Sequence, residues 1–529
     1  MSSEDSKKSG EASVESVTRR EFLKYSTGTL SALALYSLPF GAVRAGRKVQ
    51  RYPIRPQVAT TLEAMISFPT TLPGLSKPQI CEVDQYTKFG YGNWTLGSPR
   101  PLVPRTDIMP AHYGSASAGR KVKFIHFFSF SDIPITDKEA PNQLIHFQQI
   151  ERFAYNNTSI YSPVMMYTTH VLDAAVQTVN ALHKKNRFDF GLSLGDTCNS
   201  TSYNELCWYL DVIDGKVITP SSGAHLGTDS IEYQKPYQAA GLDRSIPWYQ
   251  TMGNHDHFYL GSFPVAANPA LGFRQSYVAD SVWSMADILV PNLRTFPVLF
   301  NIDGMAAQPR VYTGVIDGSS PFGKIIQAGP ATDAAFAAGA PKVAADPDRR
   351  SLVRTEWKQE FFRTTTHPVG HGFHLAGKDS PPGFACYSFI PNPKVPLRVI
   401  VLDDTQREDE GSTDIHGHGY LDAQRWAWLQ AELARGQADN QLMIADFRDP
   451  PEQRLQRFHR HGERRSGRRR GNTSRHVAKV RHCGSTNRPG GTVPFFSLPD
   501  HERQRHETHL HRRTHDASRG RCGQRRALR

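Results

Sequence analysis

Asp132, Asp196 and Asn254 each follow a short apolar run, and His255 and Asp256 come directly after the last of them. Carboxylate and amide oxygens bind divalent cations, and a nearby imidazole can donate a proton to a leaving oxygen. Hydrolysis of a phosphate ester calls for that mixture. Two cations ~3.5–4 Å apart clamp the ester and generate a hydroxide at neutral pH, and a bridging carboxylate holds their separation. A neutral amide oxygen adds a ligand without adding charge. Asp132, Asp196 and Asn254 are therefore candidate metal ligands, and His255 is a candidate proton donor.

These residues need elements that end where they stand. Residues 121–128 (KVKFIHFF) read as a buried strand running into Ser131-Asp132. Leu172, Val176, Val179 and Leu182 recur at helical spacing. Residues 188–194 (FDFGLSL) predict a strand ending at Gly195-Asp196, and 246–252 (IPWYQTM) a third ending at Gly253-Asn254-His255-Asp256. Residues 397–402 (LRVIVL) predict a fourth, ending at Asp403-Asp404. The run 421–434 predicts an amphipathic helix leading to another strand at 441–445. Strands that each finish in a polar residue fit an α/β sheet, whose sites lie at the carboxyl ends of its strands. The Gly-, Pro-, Ala- and Asp-rich stretch between Phe258 and Pro396 reads as an insertion or cap over that edge, and residues 46–120 as an N-terminal accessory region. No internal repeat is present.

The ordered set Ser131-Asp132, Leu194-Gly195-Asp196 and Gly253-Asn254-His255-Asp256 resembles the calcineurin-like metallophosphoesterase superfamily over about residues 121–445. The helix with Leu421-Asp422, Trp428-Leu429 and Leu433 is similar to the one before that family's fourth motif. The resemblance implies a two-sheet β sandwich flanked by helices and two divalent metal ions (Mn, Fe or Zn). It makes Asp132 a ligand of the first metal, Asp196 the bridge and Asn254 a ligand of the second. His255 then stabilises or protonates the leaving oxygen, with Asp256 orienting it. The implied activity is hydrolysis of a small phosphomonoester or phosphodiester.

The sequence also departs from the family. Its first motif, Asp-x-His, is here Asp132-Ile133-Pro134, and proline offers no side-chain ligand. Asp137 or Glu139 is a candidate substitute. The family's later histidine and its Gly-His-x-His are missing from their places. His416 and His418 precede the helix instead of following it, and His371 and His374 read as loop histidines. Three of seven ligand positions remain, which predicts weakened metal binding and impaired turnover.

The chain has 529 residues and a net charge of +13, but residues 446–529 hold 22 Lys and Arg against 8 Asp and Glu, leaving −1 for the rest. The basic character belongs to that segment and does not make the body a nucleic-acid binder. With 21 Arg, one Lys and no Ile, Met, Tyr or Trp, it predicts disorder. Three readings of it compete: an out-of-frame translation, a basic arm for nucleic acid and a His-rich metal tail. The arm would make the protein a non-catalytic binder, the alternative to an enzyme. The abrupt change inside a predicted strand favours the out-of-frame reading.

At the other end, Thr18-Arg19-Arg20-Glu21-Phe22-Leu23-Lys24 precedes an apolar run and then Val43-Arg44-Ala45. The order matches a removed export signal, residues 1–45, and the paired arginines resemble the twin-arginine type. That predicts the twin-arginine export machinery as a partner, a periplasmic or secreted protein, and no membrane span once the signal is removed. Six cysteines without Cys-x-x-Cys spacing argue against a zinc ribbon.

Overall fold

The computed structural model describes residues 49–67, 94–103, 123–145, 163–222, 235–265, 277–284, 311–317, 324–407 and 419–446, with a few positions between 88 and 114. The export-signal segment, His416, His418 and the Arg-rich segment beyond Asp446 lie outside the described residues.

Strands β1 (Phe127–Phe130), β2 (Phe190–Ser193) and β3 (Trp248–Gln250) form an all-parallel sheet in that order. Parallel neighbours need long crossovers, and helices supply them here. Helix α1 (Thr168–Lys185) lies between β1 and β2, and α2 (Tyr203–Asp214) between β2 and β3. Leu172, Val176 and Val179 are buried on α1, as their spacing predicts. Helix α2 is absent from the sequence reading, although Ser202 with Glu205 three positions later, and Gly215 in the left-handed region at its end, mark its boundaries. In the register Phe130 pairs with Ser193, and Ser193 with Gln250. The three carboxyl ends therefore share one edge of the sheet.

A hairpin of β4 (Val311–Asp317) and β5 (Lys324–Pro330) and a short helix α3 (Arg354–Glu360) come next in the chain. The second three-stranded sheet follows. Strand β6 (Tyr387–Phe389) pairs antiparallel with β7 (Leu397–Val401), which pairs parallel with β8 (Leu442–Asp446). Helix α4 (Ala423–Ala438) connects β7 to β8 and starts at Asp422, whose side chain accepts from Arg425 N at 2.8 Å.

Alternation along β7 explains how this sheet is covered. Val399 and Val401 enter the same buried cluster as Phe190, Leu192 and Trp248 of the first sheet. Ile400, with Leu402 just beyond the strand, packs with Leu429 of α4. The ring of Tyr249 stacks on Phe389 with centroids 3.7 Å apart, and Phe190 meets Phe389 edge-on at 5.3 Å. The architecture is mixed α/β, with several small sheets and few helices, and no closed barrel among the described residues.

Two expectations need correction. Residues 349–389 are not a cap laid over a finished domain: Leu352, Trp357, Phe361, Phe373, Tyr387 and Phe389 belong to the main core, and β6 is a strand of the second sheet. The last strand also runs one residue past Ala445, so Asp446 is a buried strand residue and not the start of a disordered tail.

Candidate functional site

Asp132, Asp196 and Asn254 follow β1, β2 and β3 by two, three and four residues, on the shared carboxyl edge. Asp132 and Asp196 both take positive φ, 51° and 57°. For residues with a Cβ this conformation is costly and persists only where the surroundings enforce it. Asp132 is exposed, and Ser131 Oγ donates to its Oδ2 at 3.2 Å.

The second and third motifs meet backbone to backbone. A Cβ on Gly195, whose φ is +91°, would lie 2.6 Å from Gly253 N, and one on Gly253 would lie 2.2 Å from Asp196 Oδ1. Both positions therefore require glycine. The approach lets His255 N donate to Asp196 Oδ1 at 3.0 Å.

Asp256 closes the joint. Its fully buried carboxylate accepts from the backbone N–H groups of Asp196 (3.0 Å), Thr197 (2.7 Å), Cys198 (3.3 Å) and Gly253 (2.8 Å), and from Thr197 Oγ1 at 2.6 Å. Burial, and then the charge of Asp196 beside it, push this carboxyl up to about 7. This changes the role that the sequence gave it. The His255 ring is oriented by Asn199, whose carbonyl accepts from Nδ1 at 2.8 Å, and not by Asp256. With Nδ1–H on that carbonyl, Nε2 is the ring nitrogen left for a substrate oxygen.

Asn254 is buried, and its Nδ2 donates to Gly261 O at 2.6 Å. Its Oδ1 is buried without a hydrogen-bond partner. A buried acceptor left unmade costs about 1–3 kcal/mol, and an oxygen-seeking cation would satisfy it. Among the described residues no three His, Cys, Asp or Glu side chains are grouped closely enough to hold a metal ion. The oxygen-bearing side chains at this edge, Asp132, Asp196 and Asn254, are of the type that hard divalent cations take.

Neither substitute for the missing motif histidine reaches the edge. Asp137 Oδ2 accepts from Arg349 Nε at 2.7 Å and Asn204 Nδ2 at 2.8 Å, inside the protein. Glu139 is buried against Lys138 Nζ at 2.8 Å and takes hydrogen bonds from Ser221 and Ser222. Burial works against its charge, but Lys138 and those bonds outweigh it and hold the carboxyl at about 2. His371 is structural: its ring stacks on Trp248 at 3.7 Å, with Nδ1 on Trp248 O and Nε2 on Thr364 Oγ1. His374 is exposed.

The second sheet contributes acids to which the sequence reading gave no individual role. Asp403 and Asp404 follow β7, and Asp446 ends β8, where Thr251 Oγ1 from beyond β3 donates to it. Burial, and then the charge of Asp404, push Asp446 up to about 7. The signal for Asp446 lay in its place directly after the apolar run 442–445, as Asp403 follows 397–402. Arg354, Arg425 and His257 are also buried here, and nothing in their spacing announces it.

Compared with protein-family models, curated proteins and solved structures, the chain matches none.

Proposed function

We propose that this protein is an exported, metal-dependent phosphoesterase whose site lies on the carboxyl edge of β1–β3 and is weakened by the missing histidine ligands. The observation that carries the reading is Asn254 Oδ1, a buried oxygen without a partner on the same carboxyl edge as Asp196. The order of the three motifs, their placement on one sheet edge and the aromatic core shared by two three-stranded sheets support it. Divalent cations, when bound, supply Lewis acidity and a hydroxide at neutral pH. Asp132, Asp196 and Asn254 would hold them. His255, with Nδ1–H fixed on Asn199 O, would give the leaving oxygen a proton from Nε2–H of its imidazolium form. The twin-arginine segment supports export to the periplasm or beyond. Among the described residues no helix is long and apolar enough to cross a membrane.

The test is hydrolysis of a chromogenic phosphodiester in a titration with Mn²⁺, Fe²⁺ or Zn²⁺. Slow turnover that saturates only at high cation concentration and disappears in Asp196→Asn is expected. Absence of any cation-dependent turnover in the unaltered chain overturns the reading.

A further inference from the structure

The segment from Arg349 to Trp357 touches loops at the ends of strands in both sheets. Arg349 Nε donates to Asp137 in the loop after β1. Tyr203 N donates to Arg350 O at 2.9 Å, and Leu352 N to Thr201 O at 2.8 Å, in the loop after β2. Thr201 Oγ1 lies 2.9 Å from both Leu352 O and Asp256 O, which ties that loop to the third motif. Trp357 Nε1 donates to Thr197 Oγ1 at 3.3 Å.

Arg354 links the two sheet edges. Its Nη1 is paired with Asp403 Oδ2 after β7, and its Nη2 donates to Thr405 Oγ1 and Gln406 O, both at 2.9 Å. His257, one residue past the third motif and fully buried, places Nε2 3.0 Å from the same Thr405 hydroxyl and 3.3 Å from Arg354 Nη2. The Thr405 hydroxyl donates to Asp403 Oδ1 at 2.7 Å, so it accepts from His257 Nε2–H and from Arg354. Arg425 grips the far side of Asp403, with Nη1 2.8 Å from its carbonyl oxygen and 3.1 Å from Oδ1. A planar fork with several fixed donors suits this junction, and a lysine, with one point of charge, cannot span it.

We propose that Arg354 is a positioning residue: through Thr405 and His257 it sets the Gly253–Asp256 motif, and so Asn254 and His255, against the end of the second sheet. The segment first read as an insertion is thereby part of the site. The consequence for turnover rests on the phosphoesterase reading, whereas the consequence for loop order does not.

The experiment compares Arg354→Lys and Arg354→Met with the full-length chain, using Arg363→Met as a control at an exposed arginine of the same region. Amide hydrogen exchange is followed across 253–258 and 403–406, Mn²⁺ affinity is titrated, and kcat and KM are measured separately. In Arg354→Met, exchange should rise in both loops together and Mn²⁺ affinity should fall about 10–100-fold, the usual effect of losing a group that orients ligands. Its kcat should fall with KM little changed. Arg354→Lys should recover part of each loss, and Arg363→Met should change none. If the methionine variant does not fold, the lysine variant decides alone. Wild-type exchange at 253–258 in the folded Arg354 variants overturns the proposal. Faster exchange in both loops, in a protein that neither binds Mn²⁺ nor hydrolyses ester, supports Arg354 as the brace and removes the phosphoesterase reading.

Discussion

Asp256 Oδ1 takes both the backbone N–H and the hydroxyl of Thr197, at 2.7 and 2.6 Å, and so fastens the loop after β2 to the loop after β3. Three further backbone N–H groups point at the same carboxylate. A group that organises this many donors has its largest effect on architecture, whatever chemistry happens beside it.

Asp256→Ala should therefore be among the most destabilising single changes. It strands five buried donors, each left unmade at a cost of about 1–3 kcal/mol before relaxation. We expect a loss of at least ~3 kcal/mol in urea unfolding. A loss below ~1 kcal/mol would show that the loops hold each other without it.

Asp196→Asn should behave in the opposite way. The amide keeps an oxygen for His255 N and removes a charge that repels Asp256. Without added metal the variant should melt at the same temperature as the unaltered protein or higher, while metal-dependent turnover is lost. Lower stability together with intact turnover contradicts the placement of Asp196 in the site.

Two histidines should each lower stability as pH drops from about 6.5 to about 4, against the opposite contribution of Asp256 and Asp446, whose carboxyls are raised to about 7. Burial lowers the pKa of His371 and of His170 to about 4 in the fold, against 6.5 for the free side chain. At these two sites the unfolded chain binds more protons between those values, so each histidine removes up to ~3 kcal/mol on acidification, and the effect levels off below about 4. Chemical denaturation of the unaltered protein and of His371→Gln at pH 7, 5.5 and 4 isolates this share: relative to the unaltered protein the variant should gain stability on acidification. The same pH dependence in both proteins rules this out.

Arg398 and Glu432 form a buried pair at 3.1 Å that joins β7 to α4. Arg435 Nη1, at 2.7 Å, stays on Glu432 when Arg398 is removed, so Arg398→Met should cost less than the about 3–5 kcal/mol of an uncompensated buried charge, and adding Glu432→Leu should recover much of it. A double variant as unstable as the single one means that packing, and not the charge, sets the cost.

The sequence determined the parts whose signal is local. The periodicity of 172–182 specifies α1, the apolar runs at 188–194 and 397–402 specify β2 and β7, and the glycines of Gly195-Asp196 and Gly253-Asn254 mark where backbones must approach. Candidate ligands could be read because each follows such a run. Only the tertiary structure decided which side chains these residues face. Asp256 serves the backbone of another loop, Asp137 turns inward to Arg349, and Arg354 reaches Asp403 and Thr405 across about fifty residues of chain. Hydrogen bonds and ion pairs act over a few ångströms in space, and sequence separation carries no information about that distance. Spacing can therefore show which residues could take part in a site, while packing assigns each one its partner.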